Sequence, residues 1–226
     1  MKTTFNFLLL FLLSFGPTNS HAQKDNTTIK QVLDKYFEAI GGKQKALQVT
    51  SFTSESKCLY NDNEFLFIQK SMLPNSFLQE IRLSDKIISK LVFNGKTAHR
   101  IHNRQRIKVQ TKELNNFKKT SAIFPEFSYY KNAKYLGIEY LKEKAYHVVK
   151  TVSKKIYYDR ETGLKTLSKT KLDANANEQK IHFSKYIAIE GLKFPSKFSF
   201  SIGEAQLDFQ TYLLTLNRDV TENDFK

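Results

Sequence analysis

Two hydrophobic periods divide the chain. Ile29, Val32, Leu33, Tyr36, Phe37 and Ile40 recur three and four residues apart, which lines them along one stripe of an amphipathic helix. Thr28, three residues before Gln31, supplies a capping box at the start of that stripe. Gly41-Gly42 stops it, because glycine accepts the left-handed conformation a helix end requires. A short second turn over Lys43 to Leu47 then leads into different material.

From Ser51 the period falls to two. Strands are predicted over 51–60, 64–71, 77–83, 87–93 and 97–102, separated by Asn61-Asp62-Asn63, Pro74-Asn75, Ser84-Asp85 and Asn94-Gly95. These are turn formers at hairpin spacing, and Asn94-Gly95 is the sharpest signal of the set. Residues 111–135 interrupt the rhythm. Thr111 to Lys119 reads as a helix, and Phe124-Pro125-Glu126-Phe127-Ser128-Tyr129-Tyr130 is aromatic without strand alternation, as in a helix-and-loop excursion. Strands resume over 136–141, 145–152, 154–159, 164–172, 178–189, 194–202 and 205–216, while 217–226 reads as a polar tail or edge segment. The expected fold is mainly β with helices: a single large, curved antiparallel sheet, an N-terminal helix before it and a mid-chain helical lid. A curved sheet must cover its concave apolar face, and the two helical segments are the available cover.

Several strands carry apolar residues on both faces. Phe65 and Phe67 alternate with Leu66 and Ile68, and Ile87, Leu91 and Phe93 interleave with Ile88 and Val92. A one-sided sheet would alternate with polar residues. Both faces are therefore covered by a thick core, or one face lines a cavity, and the pattern is the same in either case.

The first 22 residues form a unit of their own. Lys2, the apolar run Phe5 to Phe15, the break at Gly16-Pro17 and the small residues Ser20 and Ala22 make a secretory signal, with cleavage expected between Ala22 and Gln23. The run is short of the ~20 apolar residues a membrane span needs. No cysteine stands directly after it, so the mature chain, 23–226, is expected as one soluble, unacylated domain in the periplasm. Cys58 is the only cysteine, which excludes an intramolecular disulfide and fits a small buried hydrophobe. The formal net charge of +14 at pH 7 attracts polyanions. Export makes an anionic membrane surface a better partner than nucleic acid. The lysines are nevertheless scattered as on an ordinary solvated surface.

Catalytic chemistry is not visible. His99 and His102 lie three apart in a strand and turn and point to opposite faces, so they read as surface histidines and not metal ligands. No serine sits in a glycine elbow. Asp159 and Glu161 flank Arg160 in a tight turn, where solvated turn residues are the expectation. The chain is expected to be no enzyme and to need no cofactor, although a hydrolytic site converging from distant strands is not excluded by sequence.

Five segments in order resemble one family. They are Tyr36-Phe37-Glu38-Ala39-Ile40-Gly41-Gly42; Leu73-Pro74-Asn75-Ser76-Phe77; Phe93-Asn94-Gly95-Lys96-Thr97; Tyr157-Tyr158-Asp159-Arg160-Glu161-Thr162-Gly163-Leu164; and Ser184-Lys185-Tyr186 followed by Gly191-Leu192-Lys193-Phe194-Pro195. Together they resemble the outer-membrane lipoprotein-sorting, LolA/LolB-like periplasmic carriers, in a divergent Bacteroidetes-type form. The resemblance implies an unclosed half-barrel with helices as a lid over a hydrophobic cavity. It also implies carriage of acyl chains of lipoproteins or other lipids. Leu73 stands where such carriers have an arginine that latches the lid. On this reading the cavity and lid residues are Phe67, Leu91, Phe93, Phe124, Phe127 and Tyr130. The alternative is a non-catalytic interaction or sensor module on the same fold.

Overall fold

The structure, a computed structural model, describes residues 27–102, 105–120, 123–170 and 178–226. The expected signal segment, 1–22, lies outside the described residues, as does the end of the strand expected over 164–172.

Helix α1, Ile29–Ala39, begins at the capping box read from sequence: Thr28 Oγ1 accepts the Gln31 N–H at 3.3 Å and Gln31 Oε1 accepts the Thr28 N–H at 2.8 Å. Its stripe is sealed, with Leu33, Phe37 and Ile40 at most 1% exposed. Helix α2 is Lys43–Leu47. The strands follow as β1 Ser51–Tyr60, β2 Asn63–Met72, β3 Ser76–Leu83, β4 Lys86–Phe93, β5 Ala98–His102 and β6 Gln105–Lys108. Helices α3, Thr111–Thr120, and α4, Glu126–Asn132, come next. The remaining strands are β7 Lys134–Leu141, β8 Lys144–Lys150, β9 Lys154–Asp159, β10 Lys165–Thr170, β11 Gln179–Ile189, β12 Leu192–Ile202 and β13 Ala205–Leu216. A single 3-10 turn, Glu222–Phe225, ends the chain.

All the strands join one 13-stranded antiparallel sheet in the order β6-β5-β4-β3-β2-β1-β13-β12-β11-β10-β9-β8-β7. The first and last strands meet in the middle, paired from Phe52↔Leu216 to Cys58↔Phe209. The edges are β6 and β7, which are consecutive in sequence and not paired with each other. The sheet is therefore an unclosed barrel, and the chain between its edges must travel from one side to the other. That connection carries α3 and α4, and it runs over the concave face.

Three contacts hold the helices there. The end of α1 is pinned to the β11–β12 turn, where the Lys193 N–H donates to the Ile40 carbonyl at 2.7 Å. A Cβ at Gly41 would fall 2.0 Å from the Gly191 carbonyl oxygen, so glycine is required for this approach. Between α1 and α4, Phe37 stacks on Phe127 at 4.4 Å between ring centroids. On the other half of the sheet, Phe117 of α3 meets Phe77 edge-on at 5.2 Å.

The structure departs from the sequence expectations at three points. Residues 105–108, not expected as a strand, pair with β5 as the β6 edge; all four are exposed, so no apolar alternation marks them. The expected polar tail instead packs on the convex face. Phe225 is 2% exposed against Leu78 and Val92, with Ile68, Met72 and Val220 around it, and Lys70 pairs with Asp224 at 2.5 Å. Asp159 is not solvated: it is 1% exposed, takes the Glu161 and Thr162 N–H groups at 3.0 and 2.8 Å, and pairs with Lys144 at 2.6 Å. Turn-closing N–H groups point inward at its carboxylate, which is why a charged turn residue is buried here.

Candidate ligand-binding site

A cavity of about 500 Å³ lies between the concave face and the α3–α4 connection. Its floor crosses most of the sheet. In strand order, Phe183 of β11, Phe194 and Phe198 of β12, Phe52 of β1, Phe67 of β2, Phe77 of β3 and Leu91 of β4 contribute to it. The two-residue strand period puts Phe67 and Phe77 on this face, while Ile68 and Leu78 point the other way into the patch covered by Phe225. Both faces of these strands are thus apolar for separate reasons, one to line a cavity and one to seat the C-terminal segment. The roof is Phe117, Ile123, Phe124 and Tyr129. Ser54, Gln69, Ser71, Gln79 and Thr211 interleave with the rings, so the lining is amphipathic.

One wall carries charge. Glu126, at the start of α4, is 1% exposed; its Oε1 accepts from Lys165 Nζ at 2.9 Å and from the Tyr158 hydroxyl at 3.5 Å. Its Oε2 is buried without a hydrogen-bond donor among the described residues. Tyr36, Tyr129, Tyr158 and Tyr186 surround it, and burial, reinforced by the Glu126 charge, holds all four phenols above their usual pKa. Lys154 also lines the cavity. Its side chain is exposed and opens on the cavity space, with protein crowded around it. Desolvation by that surrounding protein pushes its ammonium pKa down, Lys165 adds to the effect, and Glu126 opposes it.

Of the residues singled out from sequence, Phe67, Leu91 and Phe124 line this cavity. Phe93 does not; it is fully buried, packed between Phe77 and Phe117 at centroid distances of 5.6 and 5.8 Å. Phe127 and Tyr130 also face elsewhere, both stacked on Phe37 of α1. The helical period accounts for this: residues three apart share the α4 face turned to α1, which sends Glu126 and Tyr129 toward the sheet. Tyr130 clamps the two helices, its hydroxyl donating to Asp34 Oδ1 at 2.7 Å and its ring lying 4.2 Å from Lys43 Nζ. The sequence pattern did not single out Glu126, Lys154 or Lys165. The one available signal was Glu126 itself, a lone carboxylate inside an aromatic run.

A second depression, about 570 Å³, lies between the β7–β8 and β9–β10 turns. Its walls are Lys142, Glu143, Lys144, Ala145, Arg160 and Glu161, a polar surface that offers a hydrocarbon chain nothing to pack against. Among the described residues no group of three His, Cys, Asp or Glu side chains is placed to hold a metal ion, and no helix is long and apolar enough to cross a membrane. Cys58 is 2% exposed, and burial pushes its thiol pKa up.

No protein-family model matches the sequence, and no curated protein does. Solved structures match the fold. A LolA superfamily protein from Nitrosomonas europaea superposes with a TM-score of 0.57 at 10% identity, covering 88% of this chain and 98% of that one. A DUF1329 family protein from Desulfovibrio piger superposes at 0.55 with 11% identity, covering 88% of this chain and 97% of that one. A structure from Vibrio parahaemolyticus named for outer membrane lipoprotein sorting gives 0.55 at 11% identity, covering 88% and 95%. With its unclosed antiparallel sheet and the helices laid across its concave face, the chain has a LolA-like fold.

Proposed function

We propose that this protein binds and carries an acyl chain, of a lipoprotein or another lipid, in the cavity between the sheet and its helical cover, and that it does so in the cell envelope. The observation that carries the reading is the cavity: about 500 Å³ of space left between aromatic rings of the sheet and of the lid. That is within the ~300–1,000 Å³ usual for sites that enclose small molecules. Each methylene moved from water into it contributes ~0.8 kcal/mol, so eight of them give ~6 kcal/mol before the losses of association. The LolA-like fold and the neighbour named for lipoprotein sorting support a lipid as cargo. The secretory pattern at the N-terminus supports an extracytoplasmic place of work.

A fluorescent fatty-acyl probe tests the reading. The wild-type chain should take it up with increased, blue-shifted emission. Leu91→Trp, which fills the floor of the cavity, should weaken uptake by about tenfold or more, ~1.4 kcal/mol, with little change in melting. Absence of uptake by the wild-type chain would sink the proposal.

A further inference from the structure

The charged wall of the cavity is unbalanced. Lys154, Lys165 and Lys193 line it together with a single carboxylate, Glu126. Lys165 pairs with Glu126 at 2.9 Å, so that carboxylate is already neutralised. Lys193 is exposed at the rim. Lys154 is exposed as well, but its place on the sheet is defined. It opens β9, and the strand period places it on the face of Ile156 and Tyr158, both of which are core residues. Its side chain therefore enters the concavity, where its ammonium has neither a hydrogen-bond acceptor nor an ion-pair partner among the described residues. An unpaired ammonium opening on an apolar cavity is placed to orient a ligand that supplies an anion.

We propose that the cavity takes a single-chain anionic amphiphile whose carboxylate or phosphate head pairs with Lys154, while its hydrocarbon chain lies inward over Phe183, Phe198 and Phe67. These three rings follow Lys154 in strand order across the floor, so head and chain meet matching chemistry at successive positions. The depressed pKa of Lys154 agrees with an ammonium crowded by protein and by the Lys165 charge. Ser153, on the β8–β9 turn beside it, also lines the cavity and carries a hydroxyl for the same head, while the Thr151 hydroxyl donates to the Lys154 carbonyl. The inference rests on the acyl-binding reading above but fails separately from it.

The test is displacement of the fluorescent acyl probe from the purified chain by dodecanoate, dodecyl phosphate and dodecanol near neutral pH. It is run for wild type, Lys154→Gln and Lys154→Arg. Wild type should bind at least one anion about 10- to 100-fold more tightly than the alcohol, the usual worth of a hydrogen bond to a charged group. Whichever anion wins identifies the head as carboxylate or phosphate. Lys154→Gln should bring the anions to the level of dodecanol and leave dodecanol itself unchanged, whereas Lys154→Arg should keep the preference. Equal binding of all three ligands by wild type overturns the headgroup site and leaves the acyl cavity standing. So does a preference that survives Lys154→Gln, or a Lys154→Gln that weakens dodecanol as much as the anions. No uptake of probe and no binding of any ligand overturns the acyl reading itself.

Discussion

Phe124 and Phe93 are both nearly sealed phenylalanines, at 6% and 0% exposure, yet their truncation should have different consequences. Phe93 is enclosed by Phe77, Phe117, Leu91, Ala98 and Val109 and does not itself line the cavity. Phe93→Ala opens a void in packed surroundings and should cost ~4–5 kcal/mol, toward the top of the range for buried phenylalanines. Phe124 has Phe37, Phe127 and Phe194 on one side, at centroid distances of 6.4, 6.3 and 5.7 Å, and borders the cavity of about 500 Å³ on the other. Its removal forfeits contacts on one side only, and the new space merges with space already present. Phe124→Ala should therefore cost ~2–3 kcal/mol, which lowers the melting temperature by ~4–12 °C in a chain of this size. Urea melts give the stabilities and acyl-probe titration gives the binding. Phe124→Ala should change the affinity and the preferred chain length; Phe93→Ala should leave both unchanged at temperatures where it is folded. Equal destabilisation by the two substitutions, with Phe124→Ala binding the probe as wild type does, would refute the distinction between core and cavity lining.

Three further outcomes follow from the geometry. Burial pushes the Asp159 carboxyl up, but Lys144 and the Thr162 hydrogen bonds outweigh it, so its folded pKa lies below the usual carboxylate value. Its contribution is complete above about pH 4 and is lost as pH falls through the lower folded pKa; an Asp159→Asn variant should show a flatter loss of melting temperature in acid, and identical acid profiles would count against the role. Asp159→Ala, which leaves the Glu161 and Thr162 N–H groups unanswered, should cost ~1–3 kcal/mol by urea denaturation. Phe225→Ala should cost ~3 kcal/mol, since Phe225 seals the convex patch over Leu78 and Val92, whereas a free tail would tolerate it within about 0.5 kcal/mol.

Local signals were legible where local physics decides. The capping box at Thr28 and Gln31, the glycine stop after Ile40 and the turn pairs between strands each act within a few residues, and the observed elements follow them closely. Asn94-Gly95 reads as a hairpin because few residues besides Gly95 accept φ +84°. Where apolar alternation is absent the reading failed: β6 pairs through its backbone while exposing every side chain, and Phe225 is one ring in an otherwise polar run. Asp159 was misread because composition marks a turn aspartate as solvated, while the direction of the turn N–H groups is set by backbone geometry.

Sequence by itself determined most of the elements, their hairpin connections and the two-residue alternation within the strands it marked, because period and turn chemistry are properties of neighbouring residues. It placed Phe67 opposite Ile68 and Lys154 alongside Ile156 and Tyr158. It could not say which parity is concave, since a strand pattern is symmetric between its two faces until the sheet curves. That choice came from the tertiary structure, through the pairing of β1 with β13 and the passage of the α3–α4 connection between the two open edges. Those long-range contacts put Phe67, Leu91 and Phe124 around a cavity, withdrew Phe93 into packing, and turned Phe127 and Tyr130 toward α1. They also set an unpaired ammonium, Lys154, at the cavity wall, a feature no stretch of neighbouring residues encodes.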